Sequence, residues 1–232
     1  MATPHHDHHH HSADCGSAGC HHHGVPSTPE QVRSLRIALV FVTCFSMAEL
    51  WVSIHSNSLS LMADAGHMVC DVFAIALSLW TADRVSRVDG ADGIDAGRLN
   101  AIAALVNGVL LLIVCSWLGW EAVGELRSPP AEILSQPVAI TAAVGLGING
   151  LNAYLLHSHA EDNLNMRGAF LHMVADASSC LGVLVGALLI AKYQWYLADG
   201  LVSSAIALLI ASSAIPLIRQ SWVTLNALPM AE

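Results

Sequence analysis

Charged residues are scarce in this sequence. Asp, Glu, Lys and Arg make up 12% of its 232 residues, whereas a typical soluble domain has about 25%. Hydrophobic residues make up 54%, and the mean hydropathy is +0.56. The sequence contains no basic patch, which argues against a nucleic acid as partner. This balance indicates an integral membrane protein.

The sequence also lacks the cysteine pattern of a secreted, disulfide-bonded domain. Its six cysteines are scattered, and four of them fall in apolar segments, where we expect small buried residues. The first 30 residues contain no apolar stretch, so we expect no signal peptide. Residues 1–32 carry nine of the fourteen histidines and two of the cysteines. Such tracts are typical of flexible metal binders, although a purification tag has a similar composition.

Six apolar segments have about the 20 residues that are needed to cross the hydrocarbon core of a bilayer. They cover approximately residues 35–55, 60–82, 99–121, 137–156, 167–191 and 198–218. We therefore predict an all-α membrane protein with six transmembrane helices. The predicted domains are a His/Cys-rich cytoplasmic tail (1–32), a six-helix membrane domain (33–222) and a short tail (223–232). We expect no C-terminal domain.

The distribution of basic residues predicts the orientation, because cytoplasmic loops are enriched in Lys and Arg. With the N-terminus in the cytoplasm, seven arginines lie inside and only Arg127 and Lys192 lie outside. The seven are Arg33, Arg36, Arg84, Arg87, Arg98, Arg167 and Arg219. We predict that both termini are cytoplasmic and that the membrane is a bacterial inner membrane.

Two His-x-x-x-Asp pairs lie inside apolar segments. His67 and Asp71 are in the second segment, and His172 and Asp176 are in the fifth. A spacing of four residues places each pair on one face of its helix. An aspartate at the bilayer centre costs about 2.5–3.5 kcal/mol on insertion scales. One pair alone could be a helix-stabilising contact, but two identical pairs at this depth favour metal ligands.

If the second and fifth segments touch, two imidazoles and two carboxylates can converge on one ion. A tetrahedral nitrogen and oxygen set is typical of Zn²⁺, and Co²⁺ and Cd²⁺ accept similar ligands. The remaining residues are open to two interpretations. Asp64 is either a partner of the ligands or an acid on the exit path, or else a packing acid that contacts a serine or asparagine. Glu49 either supports the ligands or, as we expect, has a structural role in which it pairs with Asn57 or a serine. We also expect Asp199 to be a helix cap and Cys180 to be a packing thiol.

The sequence resembles the cation diffusion facilitator family of zinc transporters over residues 33–228. The resemblance is carried by NSLSLMADAGHMVCD (57–71), ALVNGVLLL (104–112), LNMRGAFLHMVAD (164–176), ADGLVSS (198–204) and PLIRQSW (216–222). It implies a homodimer that exports Zn²⁺ from the cytoplasm in exchange for protons, with no organic cofactor and no enzymatic activity. It also implies transport ligands at His67, Asp71, His172 and Asp176.

The sequence departs from the family pattern in two places. Asn100 stands in the Arg-x-Glu motif that often opens the third segment, and members usually continue into a cytoplasmic dimerisation domain. We therefore expect a dimer formed mainly through membrane helices. Two alternatives to transport stay open: a zinc-sensing membrane protein that moves no ion, and an intramembrane metalloenzyme. The enzyme needs an open coordination position and a positioned base, and no His-Glu-x-x-His motif supplies them.

Overall fold

The computed structural model describes residues 29–87, 93–160 and 164–227. Six helices account for nearly all of these residues, and no strand occurs in the described ranges. The helices are α1 (Pro29–Ser56), α2 (Leu59–Arg87), α3 (Gly93–Arg127), α4 (Ser135–Ala160), α5 (Leu164–Tyr193) and α6 (Leu197–Ala227). The prediction of an all-α membrane protein with six transmembrane helices is confirmed.

Each helix is longer than the apolar segment that predicted it. The helices contain 26 to 35 residues, which corresponds to lengths of about 39–52 Å at 1.5 Å per residue. All six include a stretch that is long and apolar enough to span a membrane. The helices continue past the apolar stretch because the backbone can keep its hydrogen bonds in the polar interface.

Helix α2 is the central element of the bundle. It packs against α1, α3, α5 and α6, whereas α4 packs mainly against α5, and α3 against α6. The links from α1 to α2 and from α5 to α6 are only a few residues long. In both links one residue, Asn57 (φ 52°) or Gln194 (φ 54°), takes the left-handed conformation that reverses the chain. We call this end of the bundle the Asp199 end.

Small residues are frequent at the buried positions of the bundle, beside larger ones such as Leu61 and Ile210, and many large apolar side chains lie on its outside. The buried positions include Ala63, Ala65, Cys70, Ala142 and Ser203. Large apolar side chains such as Trp120 and Leu208 are more than 70% exposed. In a lipid environment the apolar outside is solvated by acyl chains, and small residues let helix backbones approach closely.

The start of α2 is fixed by a carboxylate from another helix. Asp199 Oδ2 accepts hydrogen bonds from the backbone N–H groups of Leu59 (2.5 Å) and Ser60 (3.2 Å). Its Oδ1 accepts from the hydroxyls of Ser58 (2.9 Å) and Ser60 (2.5 Å). We expected Asp199 to cap its own helix; it instead caps α2, whose first N–H groups have no partner within the helix. This contact, which we call the Asp199 clamp, ties α6 to α2.

The predicted tails extend beyond the described residues. Residues 1–28 and 228–232 lie outside the described ranges, so metal capture by the His- and Cys-rich segment stays a prediction. The described part of the 223–232 segment is helical, because α6 continues to Ala227.

Candidate metal centre

The two His-x-x-x-Asp pairs lie on two different helices, so a shared site requires these two helices to be in contact. His67 and Asp71 are on α2, and His172 and Asp176 are on α5, which packs against α2. Because four residues make just over one helical turn, each histidine stands one turn from its own aspartate. The contact between the two helices was inferred from the ligands alone, and the structure contains it.

The four side chains converge on a common centre. Their ligand atoms all lie within 4.8 Å of one another. We call these residues the His₂Asp₂ set: His67, Asp71, His172 and Asp176. Within the described ranges no other group of three or more His, Cys, Asp or Glu side chains converges in this way.

Each histidine lies between two carboxylates, one from each helix. His67 Nε2 is 3.6 Å from Asp71 Oδ2 and 3.3 Å from Asp176 Oδ1. His172 Nε2 is 3.4 Å from Asp71 Oδ2 and 3.5 Å from Asp176 Oδ2. The pairing is therefore a closed ring of alternating histidine and aspartate side chains that joins α2 to α5.

These separations match the edges of a zinc tetrahedron. Zinc binds imidazole nitrogen and carboxylate oxygen at about 2.0–2.2 Å, which gives tetrahedral edges of about 3.3–3.5 Å. The four His–Asp separations of 3.3–3.6 Å fall close to this range. The upper separation of 4.8 Å shows that the set has to contract slightly around an ion.

The contact between His67 and Asp176 is close but not aligned for a hydrogen bond. Asp176 Oδ1 is buried and accepts no hydrogen bond from the described residues, although His67 Nε2 is only 3.3 Å away. A buried oxygen without a donor destabilises the fold by about 1–3 kcal/mol. A divalent cation placed between the two atoms would satisfy both.

The charge of the set also suits a divalent cation. With neutral imidazoles, the two carboxylates give the set a charge of −2, which one divalent ion neutralises. All four side chains are at most 22% exposed, and an uncompensated charge at such a site is costly. The geometry and the charge therefore both support the predicted ligands, whose role as ligands stays a prediction.

A second polar cluster lies one helical turn from the set, towards the Asp199 end. Asp64 accepts hydrogen bonds from the Ser179 hydroxyl (2.5 Å) and from the Cys180 thiol (3.1 Å). Cys180, which we expected to be a packing thiol, is thus also a hydrogen-bond donor. Sequence spacing could have suggested this, because Asp64 and Cys180 each lie about one turn beyond a predicted ligand.

Glu49 has an environment that the sequence did not predict. We expected a structural role in which it pairs with Asn57 or a serine. Its side chain is fully buried, and neither carboxylate oxygen has a hydrogen-bond partner among the described residues. That pairing is therefore wrong. The reason is that α1 turns Glu49 into the bundle, away from Asn57, which is exposed.

Comparison with known proteins gives a family for most of the chain. Residues 35–225 match the cation efflux transmembrane domain. The chain is 34% identical over 207 residues to the metal cation efflux system protein CzcD of Cupriavidus metallidurans, and the match covers 89% of this chain and 62% of that protein. It is 35% identical over 209 residues to the zinc transporter ZitB of Escherichia coli, where the match covers 88% and 66%.

A third relative is named for its exchange of ions. The cadmium, cobalt and zinc/H(+)-K(+) antiporter of Bacillus velezensis is 29% identical over 191 residues, covering 81% of this chain and 60% of that protein. The chain thus spans about three fifths to two thirds of the length of these relatives. All three are named as efflux, transport or antiport proteins, and none is named as an enzyme.

Proposed function

Because this chain belongs to the cation efflux family, the cation diffusion facilitators, we propose that it moves Zn²⁺ out of the cytoplasm in exchange for protons. The His₂Asp₂ set is the proposed transport site, and Co²⁺ and Cd²⁺ are further substrates. The observation that carries the proposal is the closed ring of His–Asp separations of 3.3–3.6 Å between α2 and α5. The names of the relatives support the choice of ions.

The exchange follows from the chemistry of the ligands. Imidazole nitrogen and carboxylate oxygen bind a metal only when they are deprotonated, so metal and protons compete for the same atoms. A set loaded with one divalent ion carries no net charge, and neither does a set whose two imidazoles are protonated. Replacing one metal ion by two protons therefore leaves the charge at membrane depth unchanged, which avoids the cost of a bare buried carboxylate pair.

The helices that carry the ligands suggest how access alternates. Each of α2 and α5 contributes one histidine and one aspartate, so a change in the α2–α5 contact opens the ring without moving residues within a helix. Zn²⁺ enters from the cytoplasm, the bundle rocks, and protons from the far side displace the ion. A rigid-body movement of this kind is common in secondary transporters.

Zinc flux into proteoliposomes tests the transport site. Vesicles that contain a zinc dye and a pH dye should report zinc and proton movement in opposite directions. We expect His172→Ala and Asp176→Ala to abolish both signals while insertion and monodispersity are kept. His157→Ala is the matched control, because this histidine is exposed and lies outside the set. Unchanged zinc uptake in either ligand variant would refute the assignment.

The same assay separates transport from its alternatives. A sensor binds Zn²⁺ tightly in equilibrium dialysis but gives no flux in any vesicle. Coupled flux in the wild type, with flux lost and zinc binding weakened in the ligand variants, supports an exchanger. Flux of zinc with no counter-movement of protons would contradict the exchange part of the proposal and leave zinc transport standing.

The orientation is a separate part of the proposal. Both termini are cytoplasmic, as the distribution of arginines predicts, and the Asp199 end then faces away from the cytoplasm. An alkaline phosphatase fusion after Arg127 should be active in bacterial cells, because that enzyme folds only outside the cytoplasm. A fusion after His157 should be inactive. The reverse pattern would show the opposite orientation.

The oligomeric state is also proposed and not observed. We propose a homodimer that forms through membrane helices, because the cation diffusion facilitator family, which the sequence resembles, implies a dimer. Light scattering in detergent, with the detergent mass subtracted, should give twice the chain mass of 24.5 kDa. A mass of one chain at all protein concentrations would contradict the dimer.

A further inference from the structure

Five buried polar side chains form a cluster beside the His₂Asp₂ set. We call it the Glu49 cluster, and its members come from four helices: Glu49 (α1), Asp64 (α2), Asn149 (α4), Ser179 and Cys180 (both α5). Their exposed fractions are 0%, 2%, 6%, 6% and 0%. So many polar groups in an apolar interior are costly unless they are satisfied by partners or by a ligand.

The contacts of the cluster satisfy some of its members but not Glu49. Asp64 accepts from Ser179 (2.5 Å) and Cys180 (3.1 Å), and Asn149 Nδ2 is 3.7 Å from Cys180 Sγ. Glu49 has no hydrogen-bond partner at either oxygen among the described residues, although its side chain is fully buried.

Gly145 shows that Glu49 faces the cluster. A Cβ placed on this α4 glycine would lie 3.0 Å from Cys180 Sγ and 3.3 Å from Glu49 Oε1. The two atoms are therefore separated by no more than the sum of these distances, across a space that the glycine leaves open. Asp64 Oδ2 adjoins the same thiol at 3.1 Å. The thiol thus lies between two buried carboxylates in the bundle interior, although the three groups do not converge as closely as the His₂Asp₂ set does.

We propose that the Glu49 cluster is a second, transient binding site for the transported cation. Glu49, Asp64 and Cys180 are its ligands, and its ligand class is a thiophilic divalent ion such as Zn²⁺ or Cd²⁺, because thiolate selects these ions over Mg²⁺ and Mn²⁺. Binding forms a bond from the ion to Cys180 Sγ and releases the thiol proton to water. Departure of the ion reverses both steps.

The position of the cluster gives the site its role, which rests on the proposed function. Asp64 lies three residues before His67 on α2, and Cys180 lies four residues after Asp176 on α5. Both are displaced towards the Asp199 end, the proposed exit side. An ion that leaves the His₂Asp₂ set in that direction meets the cluster next. The donors are less tightly grouped than the His₂Asp₂ set, and Glu49 has to turn about its side-chain bonds to complete the site.

Cadmium absorption distinguishes the two sites, because the His₂Asp₂ set contains no sulfur. The full chain with Cys15→Ser and Cys20→Ser is titrated with Cd²⁺ in detergent while the ultraviolet cadmium–thiolate charge-transfer band is recorded. We expect a band that survives His172→Ala and disappears in Cys180→Ser. Glu49→Gln should weaken Cd²⁺ binding to the cluster about tenfold or more, since loss of even an indirect metal partner has that effect.

A glycine pair tests the site without changing any ligand. Gly145→Ala places a methyl group between Cys180 and Glu49, so it should diminish the band even if Cys180→Ser fails to fold. Gly147→Ala is the control on the same helix, because a Cβ there meets nothing within 4 Å. Equal bands in the two glycine variants would overturn the proposal.

Three further outcomes separate the second site from the proposed transport function. No thiolate band in a protein that still moves zinc in vesicles would refute the second site and leave the proposed function intact. A band that persists in Cys180→Ser would assign the thiolate to Cys44, Cys70 or Cys115 and also refute the site. A band that follows Cys180 in a protein without zinc flux would support the site and refute the proposed function.

Discussion

Two buried aspartates in this bundle have opposite environments. Asp199 accepts four hydrogen bonds at the start of α2, two from backbone N–H groups and two from hydroxyls. Asp176, near the middle of α5, has an oxygen that accepts none from the described residues. When hydrogen-bond donors of the protein satisfy a buried carboxylate, as they do for Asp199, these contacts explain why the charge can be buried. A buried carboxylate that such donors do not satisfy requires a proton or a cation, and this difference separates the clamp from the candidate metal centre.

Two other buried acids, Asp64 and Glu49, extend the comparison. Asp64 has two donors, both from α5, and Glu49 has none among the described residues. The number of fixed donors therefore decreases from the Asp199 end of the bundle towards the His₂Asp₂ set and its neighbour. If this ordering reflects function, substitutions near the Asp199 end should mainly lower stability, and substitutions near the His₂Asp₂ set should mainly lower transport.

The largest expected effect is on transport in Asp176→Asn. The amide keeps the shape of the side chain but binds Zn²⁺ poorly, so zinc uptake into proteoliposomes should fall by about a hundredfold or more. The melting temperature should stay the same or rise, because removing a buried charge without a donor relieves its desolvation. Glu121→Gln, at an exposed position on α3, is the matched control. An Asp176→Asn protein with a lower melting temperature and normal zinc uptake would show that Asp176 contributes to stability and not to transport.

The second-largest expected effect is that of pH on the affinity for zinc. Protons compete with the metal at both histidines of the set, so the apparent dissociation constant should rise as pH falls, by up to about a hundredfold per unit when two protons are displaced. Isothermal titration at several pH values measures the slope, and buffers of different ionisation enthalpy give the number of protons released. In His172→Ala the slope should fall by one proton. A dissociation constant that does not change with pH would contradict exchange at these atoms.

Loss of the Asp199 clamp should reduce stability more than transport chemistry. Asp199→Ala leaves buried backbone N–H groups at the start of α2 without acceptors, which should cost about 2–4 kcal/mol. Asp199→Asn should be milder, since the amide oxygen can still accept from Leu59 and Ser60 while the hydroxyls turn to accept from its NH₂ group. Thermal unfolding in detergent, followed by circular dichroism, measures both. Zinc affinity that collapses in Asp199→Asn at full stability would show that the clamp does more than hold α2.

The smallest expected effect is that of Ser179→Ala. It removes one of the two donors to Asp64, together with the contact of the same hydroxyl with the Asp176 carbonyl (2.8 Å), and keeps the thiol of Cys180 in place. The free energy of unfolding should fall by about 1–2 kcal/mol, with zinc flux reduced less than tenfold. Ser178→Ala is the control on the neighbouring, exposed face, where the hydroxyl donates to the Val174 carbonyl of its own helix. Equal losses in the two variants would show that the contact with Asp64 does not contribute.

The sequence allowed the fold and a candidate set of metal ligands to be predicted because both depend on local patterns. Hydrophobic length identifies a membrane helix without reference to any neighbour, and a spacing of four residues places His67 above Asp71 in any α-helix. The same reasoning failed for Asp199 and Glu49. Both predictions looked for a partner nearby in the chain, whereas the acceptor role of Asp199 links residues that are about 140 positions apart.

The sequence by itself therefore determined six membrane helices and two pairs of ligand-type side chains, each on one helix face. Only the tertiary structure decided that the two faces meet, that α6 caps α2 through Asp199, and that Glu49 has no donor among the described residues. The physical reason is distance along the chain, because helix periodicity determines only which residues are neighbours within one or two turns. The register between helices is set by small residues packing across the bundle, and such packing is a property of the assembled chain.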